Sequence, residues 1–271
     1  MALLEMNYLS KSLFRTVPVY VYLPADKISF EDMEYSMKEG EKFKTLYLLH
    51  GLLGNYTDWV CKTRLTQFAE EKNVAVVMPS GDNAFYVDSL VPSNDYGAFI
   101  GEELVQITRK MFPLSDKRED TFIAGLSMGG FGAVRNGIRY AETFGYVAGL
   151  SGAYDVLTEE TDGSEHRIFG KYLKEIQDTD RNPKVALEDL IKRGAPLPAF
   201  YLACGSSDQL LDSSLNFRDL LIEKGAKVIW DEQPGGHDWE FWDMEIKKVL
   251  DWLPVGGKDA LGLGSGNVRT K

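Results

Sequence analysis

Ala124-Gly125-Leu126-Ser127-Met128-Gly129-Gly130 holds the pattern G-x-S-x-G between two segments of opposite character. Thr121-Phe122-Ile123-Ala124 before it is apolar and partly β-branched, as a buried strand should be. Phe131-Gly132-Ala133-Val134 after it reads as a helix. In that setting the pattern predicts a nucleophile elbow, a tight strand-to-helix turn that lifts one serine hydroxyl out of a sheet. Glycine is needed at 125 and 129 because a Cβ at either would meet backbone as the chain reverses, and Gly130 lets the helix lie close to the sheet. A glycine-rich turn with an incidental serine is the alternative; the flanking strand and helix weigh against it. The expectation is a serine hydrolase.

Outward from the elbow, short apolar runs alternate with amphipathic ones. Val17-Pro18-Val19-Tyr20-Val21-Tyr22-Leu23-Pro24 alternates as a strand near a sheet edge, where proline is tolerated. Thr45 to Leu49 and Val74 to Met78 fit central parallel strands buried on both faces. Lys62 to Lys72 has helical spacing, and Tyr96 to Phe112 reads as one longer helix that stops before Pro113. Phe144 to Leu150, Pro198 to Ala203 and Ala226 to Trp230 are strand-like, while Asp212 to Lys224 and Trp239 to Leu253 are helical. This alternation predicts an α/β fold, a mostly parallel central sheet with helices on both faces, in a single domain over residues 1–255. Tyr154 to Pro196 interrupts the rhythm. It is polar, with helices expected near Glu165 to Gln177 and Pro183 to Lys192, and it reads as a cap-like insertion over the active site. Residues 256–271 are rich in glycine with few apolar anchors and read as a flexible tail.

Composition narrows the class. A chain of 271 residues with 44% hydrophobic and 26% charged residues can bury a large single core. Its net charge of −11 argues against nucleic acid or an anionic membrane as partner, since both demand a positive footprint. Two cysteines, Cys61 and Cys204, exclude a disulfide framework and are expected to be free buried thiols. No basic segment followed by an apolar one opens the chain, and no apolar run approaches the ~18 residues that span a bilayer. The expected location is cytoplasmic; assembly into a homo-oligomer is left open.

A serine needs a base to take its proton, most often imidazole. The chain has three histidines, His50, His166 and His237. His237 lies in Gln233-Pro234-Gly235-Gly236-His237-Asp238-Trp239, a loop between the last strand and the last helix, where elbow enzymes of chain order Ser, Asp, His carry the base. His166 falls in the polar insertion and reads as a solvated residue. His50 opens His50-Gly51-Leu52-Leu53-Gly54 at the carboxyl end of a central strand, and is expected to orient that loop and not to move protons. Acyl transfer needs at least two backbone N–H groups aimed at the oxygen that becomes negative. Met128, after the nucleophile, supplies one and Leu52 the other, with Gly51 allowing close approach. The carboxylate that holds the imidazole is expected at Asp208, in Cys204-Gly205-Ser206-Ser207-Asp208 after a strand. Asp212 competes but fits a helix N-cap, and Asp231 and Asp238 lie too close in sequence to His237. Trp59, Tyr86 and Trp239 are expected to line a substrate pocket with His50 and Gly51, because aromatic walls bind apolar ester parts well; ordinary packing accounts for each of the three aromatics equally well.

Taken together, His50-Gly51-Leu52, Gly125 to Gly130, Cys204-Gly205-x-x-Asp208 and Gly235-Gly236-His237-Asp238-Trp239 resemble the esterase D-like esterases. Within that group the chain looks like the tributyrin and acetyl esterases of bacteria, and Pro113-Leu114-Ser115-Asp116-Lys117-Arg118 is similar to them too. The similarity runs from about Met6 to Pro254. It implies an α/β-hydrolase fold, no metal and no organic cofactor, and a small-molecule ester as substrate. The expected activity is that of a serine carboxylesterase acting on small short-acyl esters through an acyl-enzyme. The alternatives are a feruloyl or acetylxylan esterase, an S-formylglutathione hydrolase and, outside enzymes, a catalytically silent binding protein.

Overall fold

The computed structural model describes residues 2–28, 34–35, 37–157 and 173–256. The chain opens with a hairpin, β1 (Ala2–Ser10) and β2 (Arg15–Leu23), and then alternates: β3 (Thr45–Leu49), α1 (Asp58–Lys62), α2 (Leu65–Lys72), β4 (Ala75–Pro79), α3 (Tyr96–Ala98), α4 (Leu104–Met111), β5 (Thr121–Leu126), α5 (Met128–Arg139) and β6 (Tyr146–Leu150). There follow α6 (Leu173–Ile176), α7 (Pro183–Lys192), β7 (Ala199–Gly205), α8 (Leu211–Glu223), β8 (Lys227–Gln233) and α9 (Trp239–Trp252). Among the described residues the strands form one sheet in the order β1-β2-β4-β3-β5-β6-β7-β8, antiparallel at β1–β2 and β2–β4 and parallel from β4 to β8.

The two faces of the sheet feed separate apolar clusters, as a doubly covered sheet requires. Every residue of β3, β4 and β5 is buried. Leu104, Phe131, Val134, Leu187, Leu190 and Phe217 pack on one face; Leu65, Phe68, Phe241, Ile246 and Leu250, from α2 and α9, pack on the other.

β2 is the second strand, one in from the edge, as the sequence reading had it, and Pro18 lies just beyond the stretch paired with β4, which begins at Val19. Elsewhere the structure differs from that reading. The single helix expected from Tyr96 to Phe112 is α3 and α4 joined by a π-helical turn, Phe99–Glu103. The described part of the 154–196 segment contributes no residue to the lining of the cleft at Ser127. Pro183, Ala186, Leu187 and Leu190 of α7 are buried, and Arg135 and Arg139 of α5 hold Asp180 at 2.8 Å (its carbonyl) and 2.6 Å (its carboxylate). An apolar stripe on α7 thus buries itself against the body of the protein. Residues 158–172, including His166 and most of the expected Glu165 to Gln177 helix, and the proposed tail beyond 256 lie outside the described residues.

Candidate active site

β5 ends at Leu126 and α5 begins at Met128, so Ser127 alone makes the reversal, at φ 53 and ψ −120. For a residue with a Cβ this conformation costs about 1–3 kcal/mol and persists only where its surroundings fix it. Ser127 N–H donates to the Leu150 carbonyl of β6 at 2.8 Å, and the Ser127 carbonyl accepts from Phe131 N–H at 3.0 Å. The flanking glycines leave no alternative. A Cβ on Gly125 would lie 2.3 Å from the Gly129 carbonyl oxygen, and one on Gly129 would lie 2.5 Å from the carbonyl oxygens of Leu49 and His50.

Asp208 follows β7 and His237 follows β8, its parallel neighbour, so both leave the same edge of the sheet. Their loops are joined by backbone bonds: Ser206 N–H to the Gln233 carbonyl at 2.9 Å and Ser207 N–H to the Gly235 carbonyl at 3.0 Å. Gly205 permits this contact, since a Cβ there would stand 2.4 Å from the Gly235 oxygen. Asp238, directly after the histidine, caps α9 by accepting from Phe241 N–H at 3.0 Å.

These supports bring three side chains into line. His237 Nε2 lies 2.9 Å from Ser127 Oγ, and His237 Nδ1 lies 3.0 Å and 3.1 Å from the two carboxylate oxygens of Asp208. An ionised carboxylate only accepts, so Nδ1 carries the proton and Nε2 is left to accept from the serine hydroxyl. Burial alone would raise the Asp208 pKa. Hydrogen bonds from His237, from Leu210 N–H at 2.8 Å and from Ser151, with the attraction of His237, outweigh it and hold the carboxyl below its ordinary value. The neighbouring thiol of Cys204 is pushed up to about 12 by burial and by the Asp208 charge, so it stays protonated and inert. Cys61, in contrast with the expectation of a buried thiol, is exposed.

The rival carboxylates are occupied elsewhere. Asp231 pairs with Lys248 at 2.8 Å and accepts from Tyr201 at 3.0 Å, and Asp238 is the α9 cap. Asp212 is not an N-cap, as Leu210 takes that place; it sits in the first turn of α8, where a negative charge suits the helix dipole.

Ser127 and His237 open into a cleft of about 630 Å³ lined also by Gly51, Leu52, Leu53, Leu210, Trp239 and Trp242, with Asp58, Lys62 and Asp238 as its charged groups. Gly51, Leu52 and Trp239 therefore line the cleft that holds Ser127. His50, Trp59 and Tyr86 are not on this wall; they are buried behind it. His50 Nε2 accepts from Gly81 N–H at 2.8 Å, so Nδ1 bears the proton and donates to the Gly51 carbonyl at 2.7 Å. Both nitrogens being committed, the ring is a strut for the loop and no acid or base. Tyr86 hydroxyl donates to the His50 carbonyl at 2.9 Å. Trp59 donates to the Leu49 carbonyl at 3.0 Å and backs Trp239 edge-on, ring centroids 5.5 Å apart. Trp242 was missed by sequence reasoning although it stands about one helical turn after Trp239 on α9, the helix that follows His237. No group of three His, Cys, Asp or Glu side chains that could hold a metal occurs among the described residues.

Leu52 lines the same cleft as Ser127, and Met128 follows Ser127 directly in the chain. Met128 is the first residue of α5, in the turn whose N–H groups have no partner within the helix. Leu53 N–H donates to Asn83 Oδ1 and Gly54 N–H to the Gly51 carbonyl, so these two donors of the turn are committed within the protein.

A strained serine at a strand-to-helix turn, on a mostly parallel sheet of this order, defines an α/β-hydrolase. The chain belongs to the Putative esterase family, whose model matches residues 10–253. It is 36% identical over 265 residues to an acetyl esterase of Caldicellulosiruptor saccharolyticus, covering 93% of this chain and 98% of that one. Among solved structures it is similar to FphF, the Staphylococcus aureus fluorophosphonate-binding serine hydrolase F, with 29% identity, a TM-score of 0.81 and coverage of 93% and 98%. It is likewise similar to the S-formylglutathione hydrolase FrmB of Staphylococcus aureus, with 28% identity, a TM-score of 0.80 and the same coverage. The protein is a serine esterase.

Proposed function

We propose that this esterase hydrolyses small, uncharged short-acyl esters, such as acetyl esters, through an acyl-enzyme on Ser127. The observation that carries the reading is the continuous chain Ser127–His237–Asp208, at 2.9 and 3.0 Å, opening on a solvent-reached cleft. Ser127 Oγ attacks the ester carbonyl as His237 Nε2 takes its proton, and the Met128 and Leu52 N–H groups hold the oxygen that becomes negative. The imidazolium, steadied by Asp208, gives its proton to the departing alcohol. Water then attacks the acyl-enzyme with His237 again as base, and Ser127 leaves with the proton returned to it. The acetyl esterase relative supports a short acyl group.

S-formylglutathione hydrolysis is the second reading, favoured by the likeness to FrmB. The charges weigh against an anionic thiol: the cleft wall carries Asp58 and Asp238 against one cation, Lys62, which is itself paired to Asp58 at 3.2 Å. Feruloyl or acetylxylan esters would place a flat acyl group or a sugar against Trp239 and Trp242. No helix among the described residues is long and apolar enough to cross a membrane; cytoplasmic action is part of the proposal.

A fluorophosphonate probe, with digestion and mass analysis, tests the chemistry; the adduct is expected on the peptide carrying Ser127. A panel of p-nitrophenyl acetate, butyrate and octanoate, methyl ferulate, acetylated xylo-oligosaccharides and S-formylglutathione tests the substrate. Preference for acetate or butyrate is expected, and a higher kcat/KM for S-formylglutathione or methyl ferulate would replace the short-acyl reading.

A further inference from the structure

Lys62 stands between two spaces. It is the last residue of α1, and it lines both the cleft of about 630 Å³ that holds Ser127 and a neighbouring hollow of about 330 Å³. Among the described residues Trp239 is the other one common to both; Cys61, Thr63, Arg64, Glu240 and Asp243 complete the lining of the hollow. A substrate group that extends from the cleft along Trp239 therefore meets the Lys62 side chain before it can enter the hollow.

The lysine is held in that place from two directions. Its ammonium lies 3.2 Å from Asp58 Oδ2, one turn back on α1, and 4.8 Å from the centroid of the Trp239 ring. The methylene stem is left to form the partition while the charge reaches its partners. Both partners are themselves fixed. Asp58 is buried and packs on Gly54, where a Cβ would stand 2.4 Å from Asp58 Oδ2. Trp239 has Trp59 edge-on at 5.5 Å and Trp242 edge-on at 5.2 Å. Across the hollow, Arg64 is tied to Asp243 through its backbone N–H at 2.7 Å and its Nε at 2.8 Å. The hollow thus has set walls, and the half-exposed lysine is the part that can be cut back without opening a gap in the core.

The same contacts say which part of an ester meets this wall. The departing alcohol has to reach His237 Nε2 to collect its proton. From His237 a run of edge-on rings leads to Trp242 at 4.9 Å and on to Trp239 at 5.2 Å, and it ends at the Lys62 ammonium. We propose that Lys62, held over Trp239 by Asp58, is a specificity-determining residue that limits the size of the alcohol portion of the ester. The inference rests on the serine-esterase mechanism above.

The test uses the intact protein and two acetates whose leaving phenols are similar in acidity, phenyl acetate and biphenyl-4-yl acetate. The ratio of their kcat/KM values then reads size and not chemistry. Lys62→Ala joins the hollow to the cleft and is expected to raise the biphenylyl-to-phenyl ratio about tenfold. Lys62→Arg can keep both the ion pair and the contact with the ring, and should leave the ratio within about twofold of wild type. Cys61→Phe refills the hollow from a residue that does not line the cleft. Alone it should move the ratio by less than about twofold, because the wall already shuts the hollow. Added to Lys62→Ala it should cancel most of the gain, a non-additivity that a general loosening of the cleft would not produce. The octanoate-to-acetate ratio of p-nitrophenyl esters varies the acyl side instead, and should move by less than about twofold in Lys62→Ala. An unchanged biphenylyl ratio in Lys62→Ala, a gain that survives Cys61→Phe, or a gain confined to the acyl series would overturn the proposal. With Ser127→Ala inactive, any of these removes Lys62 from its role and leaves the mechanism standing; an active Ser127→Ala takes both down.

Discussion

The imidazole of His237 stands edge-on to the indole of Trp242, ring centroids 4.9 Å apart and planes at 88°. Trp242 is itself held, its N–H donating to Ser151 Oγ at 3.2 Å and its ring meeting Trp239 edge-on at 5.2 Å. The tilt of the base is thus set by a packed ring as well as by Asp208. Trp242 is 5% exposed, so Trp242→Ala should cost about 3–5 kcal/mol of stability in urea denaturation. It should also lower kcat about tenfold as the imidazole gains freedom, whereas Trp242→Phe, which keeps an edge, should do less on both counts.

Ser127→Ala and His237→Ala should each reduce turnover of p-nitrophenyl acetate by about 10⁴-fold or more, because the groups act as a unit. Asp208→Asn should cost roughly 10⁴-fold through the wrong imidazole tautomer. Asp212→Asn, in the first turn of α8, should leave kcat unchanged and lower stability by no more than about 1 kcal/mol. Steady-state kinetics showing the reverse order for Asp208 and Asp212 would reassign the acid.

His50 is buried, and burial lowers its pKa against the opposing pull of its bond to Gly51 and of the Asp58 and Asp82 charges. A base whose folded pKa is lowered leaves the unfolded chain to bind the proton first. Stability is therefore full above the unfolded histidine value of about 6.5 and declines as pH falls below it, by up to about 1.4 kcal/mol per unit. His50→Gln, which can still accept from Gly81 and donate to Gly51, should flatten that decline in denaturation curves taken from pH 7 downward.

Gly129→Ala would place a methyl group 2.5 Å from two carbonyl oxygens of the β3 end. Backbone cannot give way as a side chain would, and the loss should reach about 3 kcal/mol with turnover abolished. Gly225→Ala is the control. It meets no atom within 4 Å but lies at φ +81, so strain alone should cost about 1–2 kcal/mol and activity should remain.

What was legible in the sequence followed local necessity. The elbow could be read because the residues on either side of Ser127 have no second conformation compatible with their glycines, strand and helix. His237 and Asp208 could be read because each follows a strand whose apolar run is unmistakable. The β1 strand gave no such signal: it is an edge strand, and its residues are mostly exposed. The π-turn at Phe99–Glu103 keeps the same side chains a helix would and is invisible to a period of 3.6 residues. α7 shows the remaining limit. Its apolar stripe announced a packed helix, but nothing in it named α5 as the partner, and the polar residues around it suggested a lid. Trp59 and Tyr86 failed similarly, since an aromatic beside a loop can face the cleft or support its wall, and only packing decides.

Ser127 stands 110 residues before His237, the imidazole it is hydrogen-bonded to, and that histidine is followed directly by the cap and buried face of α9. The elbow needs only β3, β5, β6 and α5 around it, all of which precede Asp208 and His237 in the chain. A growing polypeptide can therefore complete its nucleophile turn well before it owns a base, and domains take shape as the chain emerges from the ribosome. Hydrolysis should begin only when α9 docks. Turnover should in that sense signal that synthesis has passed α9, and any chain that stops short of it should be a serine protein without serine chemistry.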